Sequence, residues 1–359
     1  MSTNSKAIIA MSGGVDSSVA AYLMKEEGYE CIGATMKLYN NEDIGISKQK
    51  TCCSLSDIDD ARSVARNLEM PYYVFNFTDN FEQEVIDRFV DTYIEGGTPN
   101  PCIDCNRYIK FDKMLQRMYE LDYDFVVTGH YARIEYDENT GRYLLKKGID
   151  ETKDQSYVLY NMTQEQLSHT KFPLGHYRKS EIREIAENQG FINAAKHDSQ
   201  DICFVPDGDY AKFIEGYCGK TFPEGDFVKE DGTVLGKHKG IIRYTIGQRK
   251  GLGLSLPEPL YVCAKDVETN RVILGKNERL FQTTLEADDM NWISVPDITE
   301  PIRCKAKIRY KQKEADAIVE KLDGDKVKIT FDEPQRGITK GQAVVLYDGD
   351  IVIGGGRIL

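Results

Sequence analysis

One stretch limits what this chain can fold into more than any other: AIIAMSGGVDSSVAA, residues Ala7–Ala21. The run Ala7–Met11 is short, apolar and unbroken, as a strand buried on both faces must be. Two glycines follow, and then Ser17–Glu27 repeats apolar residues at helical spacing. A strand feeding a helix through Gly-Gly leaves the first amides of that helix pointing at one spot, where an anion is favoured. Ala10, Met11, Ser12, Gly13, Gly14, Val15, Asp16 and Ser17 are therefore candidate ligands of a phosphate group. Asp16 is out of place beside an anion unless a Mg²⁺ stands between them. No Gly-Lys-Ser/Thr follows, so this is not a Walker loop, and it lacks the G-x-G-x-x-G spacing of a dinucleotide fingerprint. A plain strand–helix turn is the bland alternative, and the length of the string argues against it.

The alternation continues. Strands are predicted at Tyr29–Leu38, Tyr72–Phe77 and Phe125–Gly129, and helices at Ser56–Leu68, Asn80–Glu95, Tyr108–Leu121 and Ser180–Asn188. Ser56 with Asp59 reads as a capping box, and Gly190 as a helix stop. Such alternation means an α/β fold: a mostly parallel, doubly wound sheet with helices on both faces. Beyond Val205 helical periodicity fades. Leu260–Asp266, Arg271–Gly275, Ile302–Tyr310, Lys326–Phe331, Ala343–Asp348 and Ile351–Ile358 read as strands between Gly, Asp and Pro turns. The expected division is a catalytic domain over 1–205, a small β-rich domain over 206–280, and an antiparallel β-barrel or sandwich over 281–359. No apolar run reaches the roughly 18–20 residues of a membrane span, and the first residues lack a signal-peptide pattern. A cytoplasmic location without a membrane partner is expected.

Nine cysteines, an odd number over 359 residues, argue against a disulfide framework. The prolines and glycines of GGTPNPCIDCNRYIKF, Gly96–Phe111, read as a loop that carries Cys102 and Cys105. Cys203 stands in HDSQDICFVP. Thiols so placed act as nucleophiles or as ligands of a soft metal. Three thiols without a fourth ligand fit a structural zinc site poorly. Cys31 and Cys263, each alone, read as small buried core residues. Cys52–Cys53 reads as structural or incidental.

Longer strings carry more. SGGVDS resembles the PP-loop signature of the ATP pyrophosphatase superfamily. MSGGVDSSVAA, GxTPNPCxxCNRYIKF, VTGHYAR, KDQSYVL, DSQDICF, YTIGQRKGLG and GQAVVLYDGDIVIGGG, in this order, resemble the tRNA-specific 2-thiouridylase family over residues 8–356. The resemblance implies a HUP-like PP-loop domain, ATP and Mg²⁺ as cofactors, and tRNA as substrate. It implies adenylylation of the C2 oxygen of the wobble uridine, its replacement by sulfur, and release of AMP and pyrophosphate. A sulfur-relay or cysteine desulfurase protein is the implied sulfur donor. By motif position Cys105 matches the nucleophile and Cys203 the persulfide carrier, and the two are able to form a transient disulfide. Met36 and Gly129 join the nucleotide ligands. Asn100, Pro101 and Cys102 meet the target base, which must leave the anticodon stack. His130, Lys153, Asp154, Gln155, Arg309, Tyr310 and Gln342 contact tRNA. One departure stands out, because many family members carry Asp where this chain has Cys102. Three thiols at Cys102, Cys105 and Cys203 suit three irons of a [4Fe–4S] cluster, whose fourth iron takes sulfide. Persulfide relay and cluster-bound sulfide both stay open at this point.

The net charge of −12 speaks against nucleic acid only until its distribution is read. Arg303, Lys305, Lys307, Arg309, Lys311 and Lys313 alternate along one predicted strand, which sets six cations on one face. A solvated polar face is the bland reading, and a track for a phosphate backbone is the sharper one. Lys237–Lys250 and Lys146–Lys153 are further basic stretches. Two other readings compete. A PP-loop ligase for amino acids explains SGGVDS but not the thiols or the stripe. An RNA-binding protein with a Cys-x-x-Cys metal site explains the stripe but leaves Asp16 without a task.

Overall fold

The computed structural model describes residues 5–39, 55–196 and 202–359. Cys52, Cys53 and the HDSQD part of the Cys203 string lie outside them. The first half holds β1 (Lys6–Ala10), α1 (Val15–Glu26), β2 (Glu30–Lys37), α2 (Leu55–Asn67), β3 (Tyr72–Asn76), α3 (78–94), α4 (101–120), β4 (Phe125–Val127), β5 (Ala132–Asp137), β6 (Arg142–Lys147), α5 (Gln164–Ser168), β7 (Thr170–Lys171) and α6 (Lys179–Asn188). Five strands form an all-parallel sheet in the order β3-β2-β1-β4-β7. β1 is central, and Ala7, Ile8 and Ile9 are fully buried, which is why its apolar run has no polar alternation. One face packs on α1, α2 and α6 through Val19, Val64 and Ile182. The other packs on α3 and α4 through Phe81, Phe89 and Ile109. This is the expected doubly wound α/β layer.

Three local expectations change. α2 already includes Leu55, so Ser56 lies inside its first turn rather than capping it from outside. Cys102 and Cys105 stand on a helix, not on a loop. α4 runs from Pro101 to Glu120 without a break, π-wound over Cys105–Lys113 and α-helical at both ends. Proline at the first helical position costs no hydrogen bond and presets φ, so Pro101 starts the helix instead of preventing it. Beyond Val205 one further α-helix forms, α7 (Tyr210–Cys218). Asp209 caps it, its side chain accepting from the Lys212 amide at 3.0 Å, and left-handed Gly219 ends it.

The remaining strands are β8 (Gly225–Lys229), β9 (Val234–His238), β10 (Tyr261–Asp266), β11 (Arg271–Gly275), β12 (Phe281–Trp292), β13 (Ile302–Lys307), β14 (Ala315–Lys321), β15 (Val327–Arg336), β16 (Ala343–Asp348) and β17 (Ile351–Ile358). Four form a small sheet, β10-β11-β8-β9. Six close into an antiparallel barrel, because β12 pairs with both β15 and β17. The β5–β6 hairpin leaves the parallel sheet and joins this barrel sheet beside β17, where Lys146 faces Ile351. A shared core follows, in which Phe111, Leu145 and Tyr157 pack with Ala343, Val345 and Tyr347.

The basic stripe is broken. β13 ends at Lys307, and Arg309, Lys311 and Lys313 follow in a turn. Arg303 pairs with Asp332, and Lys305 pairs with Asp316 on the neighbouring strand at 3.2 Å. Cross-strand carboxylates thus neutralise the two exposed cations that remain in register.

Candidate active site

α1 begins at Val15, with Gly14 before it in extended conformation and no side-chain cap. Its first amides are left for a ligand. Gly13 has φ +74°, and a Cβ there would stand 2.3 Å from the Asp57 carbonyl oxygen, so only glycine fits. Ser17 Oγ accepts from the Ser12 amide at 3.2 Å and folds the loop on itself. Asn193 Nδ2 and Lys196 Nζ both donate to the Gly13 carbonyl, at 3.0 and 3.2 Å. Lys196 also pairs with Asp57 and Asp60, which ties α2 to the loop. Gly129 carries the strand end past α1, and a Cβ there would meet the Asp16 carbonyl carbon and the Ser17 amide at 2.8 Å. Its part is to let the sheet edge approach the loop.

Asp16 is gripped from two sides. Lys179 Nζ lies 2.8 Å from each carboxylate oxygen, and Tyr131 OH donates to Oδ1 at 2.7 Å. Gln155 in turn accepts from the Tyr131 amide at 3.0 Å, linking the KDQ string to the loop. The carboxylate expected to meet Mg²⁺ therefore carries an internal cation here. Lys179, Lys196 and Asn193 had no motif to mark them; their only signal was a Lys opening the amphipathic run of α6.

A cavity of about 480 Å³ starts at this loop and reaches the thiols. Met11, Ser12, Gly14, Val15, Asp16 and Met36 line one end. Pro101, Cys102, Cys105, Cys203, Lys153, Gln155 and Tyr310 line the other, with Lys110 among them. Its volume is that of a small-ligand site. Met11 and Tyr310, 299 positions apart in sequence, thus share one chamber. Tyr39 OH donates to the Cys203 carbonyl at 3.0 Å and helps fix that segment. Cys102 is exposed and Cys105 is buried. Among the described residues, no three His, Cys, Asp or Glu side chains come together as a metal-holding group.

Other expected site residues lie off the cavity wall. Ala10 ends β1 beneath the loop. Asn100 precedes the helix in extended conformation. Asp154 turns inward, and its carboxylate accepts from the Gly148 and Ser156 amides and from Ser156 Oγ. Arg309 Nη2 donates to the Gly337 carbonyl and to Thr339 Oγ1, at 2.7 and 2.9 Å. Gln342 Nε2 donates to the Thr98 carbonyl at 2.7 Å, so the barrel holds the strand of chain that leads to Asn100. His130, expected to contact tRNA, is buried. It is 7 % exposed, packed against Phe111 and Phe172, and burial holds its imidazole well below the usual value and hence neutral.

Comparison with known proteins agrees in full length. Family models match as a tRNA methyl transferase HUP domain over residues 5–207, a tRNA methyl transferase PRC-barrel domain over 211–276, and an aminomethyltransferase beta-barrel domain over 282–358. The tRNA-specific 2-thiouridylase MnmA of Clostridioides difficile is 53% identical over 358 residues, covering 100% of this chain and 99% of that protein. The chain belongs to the MnmA family. The MnmA protein of Acetivibrio thermocellus is likewise 53% identical, over 98% of this chain and 99% of its own. Among solved structures, a 4-thiouridine synthetase–RNA complex with bound ATP matches at 19% identity and TM-score 0.36, covering 56% of this chain and 45% of that one. The U34-tRNA thiolase NcsA from Methanococcus maripaludis with its [4Fe-4S] cluster matches at 18% and 0.36, over 60% and 71%. The cavity places Cys102, Cys105 and Cys203 in one space.

Proposed function

We propose that this chain is a tRNA 2-thiouridine synthase acting on the wobble uridine, in the cytoplasm. One observation carries the reading: a single cavity joins an ATP-binding loop to three cysteines. ATP binds with its phosphates at the amides of Gly14–Ser17. The C2 oxygen of the uridine attacks the α-phosphate, pyrophosphate leaves, and the oxygen becomes part of a leaving group. Met36 and Gly129 border the nucleotide. Asn100, Pro101 and Cys102 receive the base. Lys153, Gln155 and Tyr310 face the RNA, and Asp154, Arg309 and Gln342 shape the surface behind them.

Cys203 brings a persulfide, loaded by a sulfur-relay partner. Its terminal sulfur forms the C2–S bond as the C2–O bond breaks and AMP departs. Cys105 thiolate then attacks Cys203 Sγ, which breaks the S–S bond, frees 2-thiouridine and leaves a Cys105–Cys203 disulfide for an external thiol to reduce. Mg²⁺ would arrive with ATP and neutralise its phosphates. The division into 1–205, 206–280 and 281–359 fits the three matched segments.

Mass spectrometry of tRNA nucleosides tests the reading. A deletion strain is expected to lose wobble 2-thiouridine, and wild type but not Asp16→Ala or Cys105→Ser restores it. Unchanged 2-thiouridine in the deletion strain would sink the proposal.

A further inference from the structure

Among the described residues, the cavity wall carries a lysine, Lys110, that no carboxylate pairs. Lys196 is taken by Asp57, Asp60 and the Gly13 carbonyl. Lys110 is different. Its ammonium has one hydrogen bond, to His130 Nε2 at 3.5 Å, and no carboxylate partner among the described residues. An uncompensated ammonium lining a half-closed site asks for an anion.

The winding of α4 decides which way Lys110 points. In an α-helix, five residues advance the chain by about 140° beyond a full turn, which would part Lys110 from Cys105. The segment Cys105–Lys113 is π-wound, with bonds from i to i+5. That winding brings residue i+5 back over residue i, and both Cys105 and Lys110 line the cavity. His130 keeps the ammonium there. Its Nδ1 lies 2.6 Å from Thr128 Oγ1, its ring is wedged between Phe111 and Phe172, and its burial keeps it neutral. With the proton on Nδ1 toward Thr128, Nε2 presents a lone pair to Lys110.

We propose that Lys110 holds the negative charge of the adenylyl phosphate as sulfur displaces it from C2, and that His130 is the positioning residue for its ammonium. The inference rests on the thiolation reading above. When the C–S bond forms, the C2–O electron pair leaves on AMP, and the phosphate gains charge at the oxygen that departs from C2. A cation on the thiol-bearing face of α4 meets that charge. A fixed donor aimed at developing charge is worth about 10²–10³ in rate.

The test separates the two half-reactions on full-length protein in a single turnover. Unmodified tRNA, ATP labelled at the α-phosphate, and a cysteine desulfurase with cysteine, which loads Cys203 with persulfide, are used. For Lys110→Met, pyrophosphate formation and the KM for ATP are expected to stay within about twofold of wild type. AMP release is expected to fall about 100-fold, with labelled adenylyl-tRNA accumulating. Lys110→Arg recovers most of the rate. His130→Gln, which keeps an acceptor, stays near wild type, whereas His130→Leu shows part of the Lys110 defect. If Lys110→Met melts early, Lys110→Gln serves in its place and the same split is expected. Unchanged AMP release, or pyrophosphate formation that falls in step with it, overturns the assignment of Lys110. Wild-type protein that forms no adenylyl-tRNA when the sulfur source is left out overturns the thiolation reading instead.

Discussion

Asp16 shows how one residue's role depends on its neighbours. Its carboxylate belongs to the phosphate loop, yet a lysine 163 positions away grips both oxygens. Lys179 is nearly buried, so removing it strands a charge in a poor solvent environment. Lys179→Met is expected to lower stability by about 2 kcal/mol in urea unfolding. The double variant with Asp16→Asn is expected to cost less than the sum of the singles. His130 supplies a pH signature. Its folded-state pKa lies below its ordinary 6.5, so the unfolded chain takes a proton that the folded chain refuses. Its contribution is complete above that ordinary value and is lost as pH falls below it. The melting-temperature gap between wild type and His130→Gln should therefore narrow from about pH 7.5 to about pH 5. A constant gap would show that the imidazole binds its proton alike in the folded and unfolded chains.

Helix α4 and strand β13 mark what periodicity reads well and badly. Proline and glycine density reads as a loop at Gly96–Phe111, and eleven of its sixteen residues are helix. The signals of a loop and of a helix start are the same residues, and Pro101 serves the second purpose. The π winding that follows has no sequence period to announce it. In β13, alternation is right as far as Lys307. It misleads beyond, because charges on a face say nothing of the carboxylates that neighbouring strands will set opposite them. Arg303→Ala with Lys305→Ala is accordingly expected to leave tRNA affinity within about twofold by filter binding at fixed salt. Lys153→Glu, on the cavity wall, is expected to weaken it at least about tenfold. Equal losses would restore the stripe as an RNA track.

At the level of the whole molecule, the α/β layer and the barrel share one core. The β5–β6 hairpin sits in the barrel sheet, and Tyr157 OH donates to the Ala343 carbonyl at 2.8 Å inside a shared core. Arg107 of α4 pairs with Asp289 of β12, and Gln342 holds the approach to Asn100. A fragment ending at residue 205 would expose the Phe111, Leu145 and Tyr157 side of that core. It is expected to bind a hydrophobic dye and to melt without a sharp transition, while the full chain melts in one step. A sharp, reversible transition in the fragment would refute this coupling.

The sequence by itself determined the parallel sheet, the phosphate loop at its central strand, the thiols and the family, because these rest on local backbone rules and on contiguous strings. It could not determine the Lys179 grip on Asp16, the burial of His130, the neutralised stripe or the chamber that joins loop to thiols. Each of those is a meeting of side chains far apart in the chain, and only the packing of sheet against helix and barrel sets their distances.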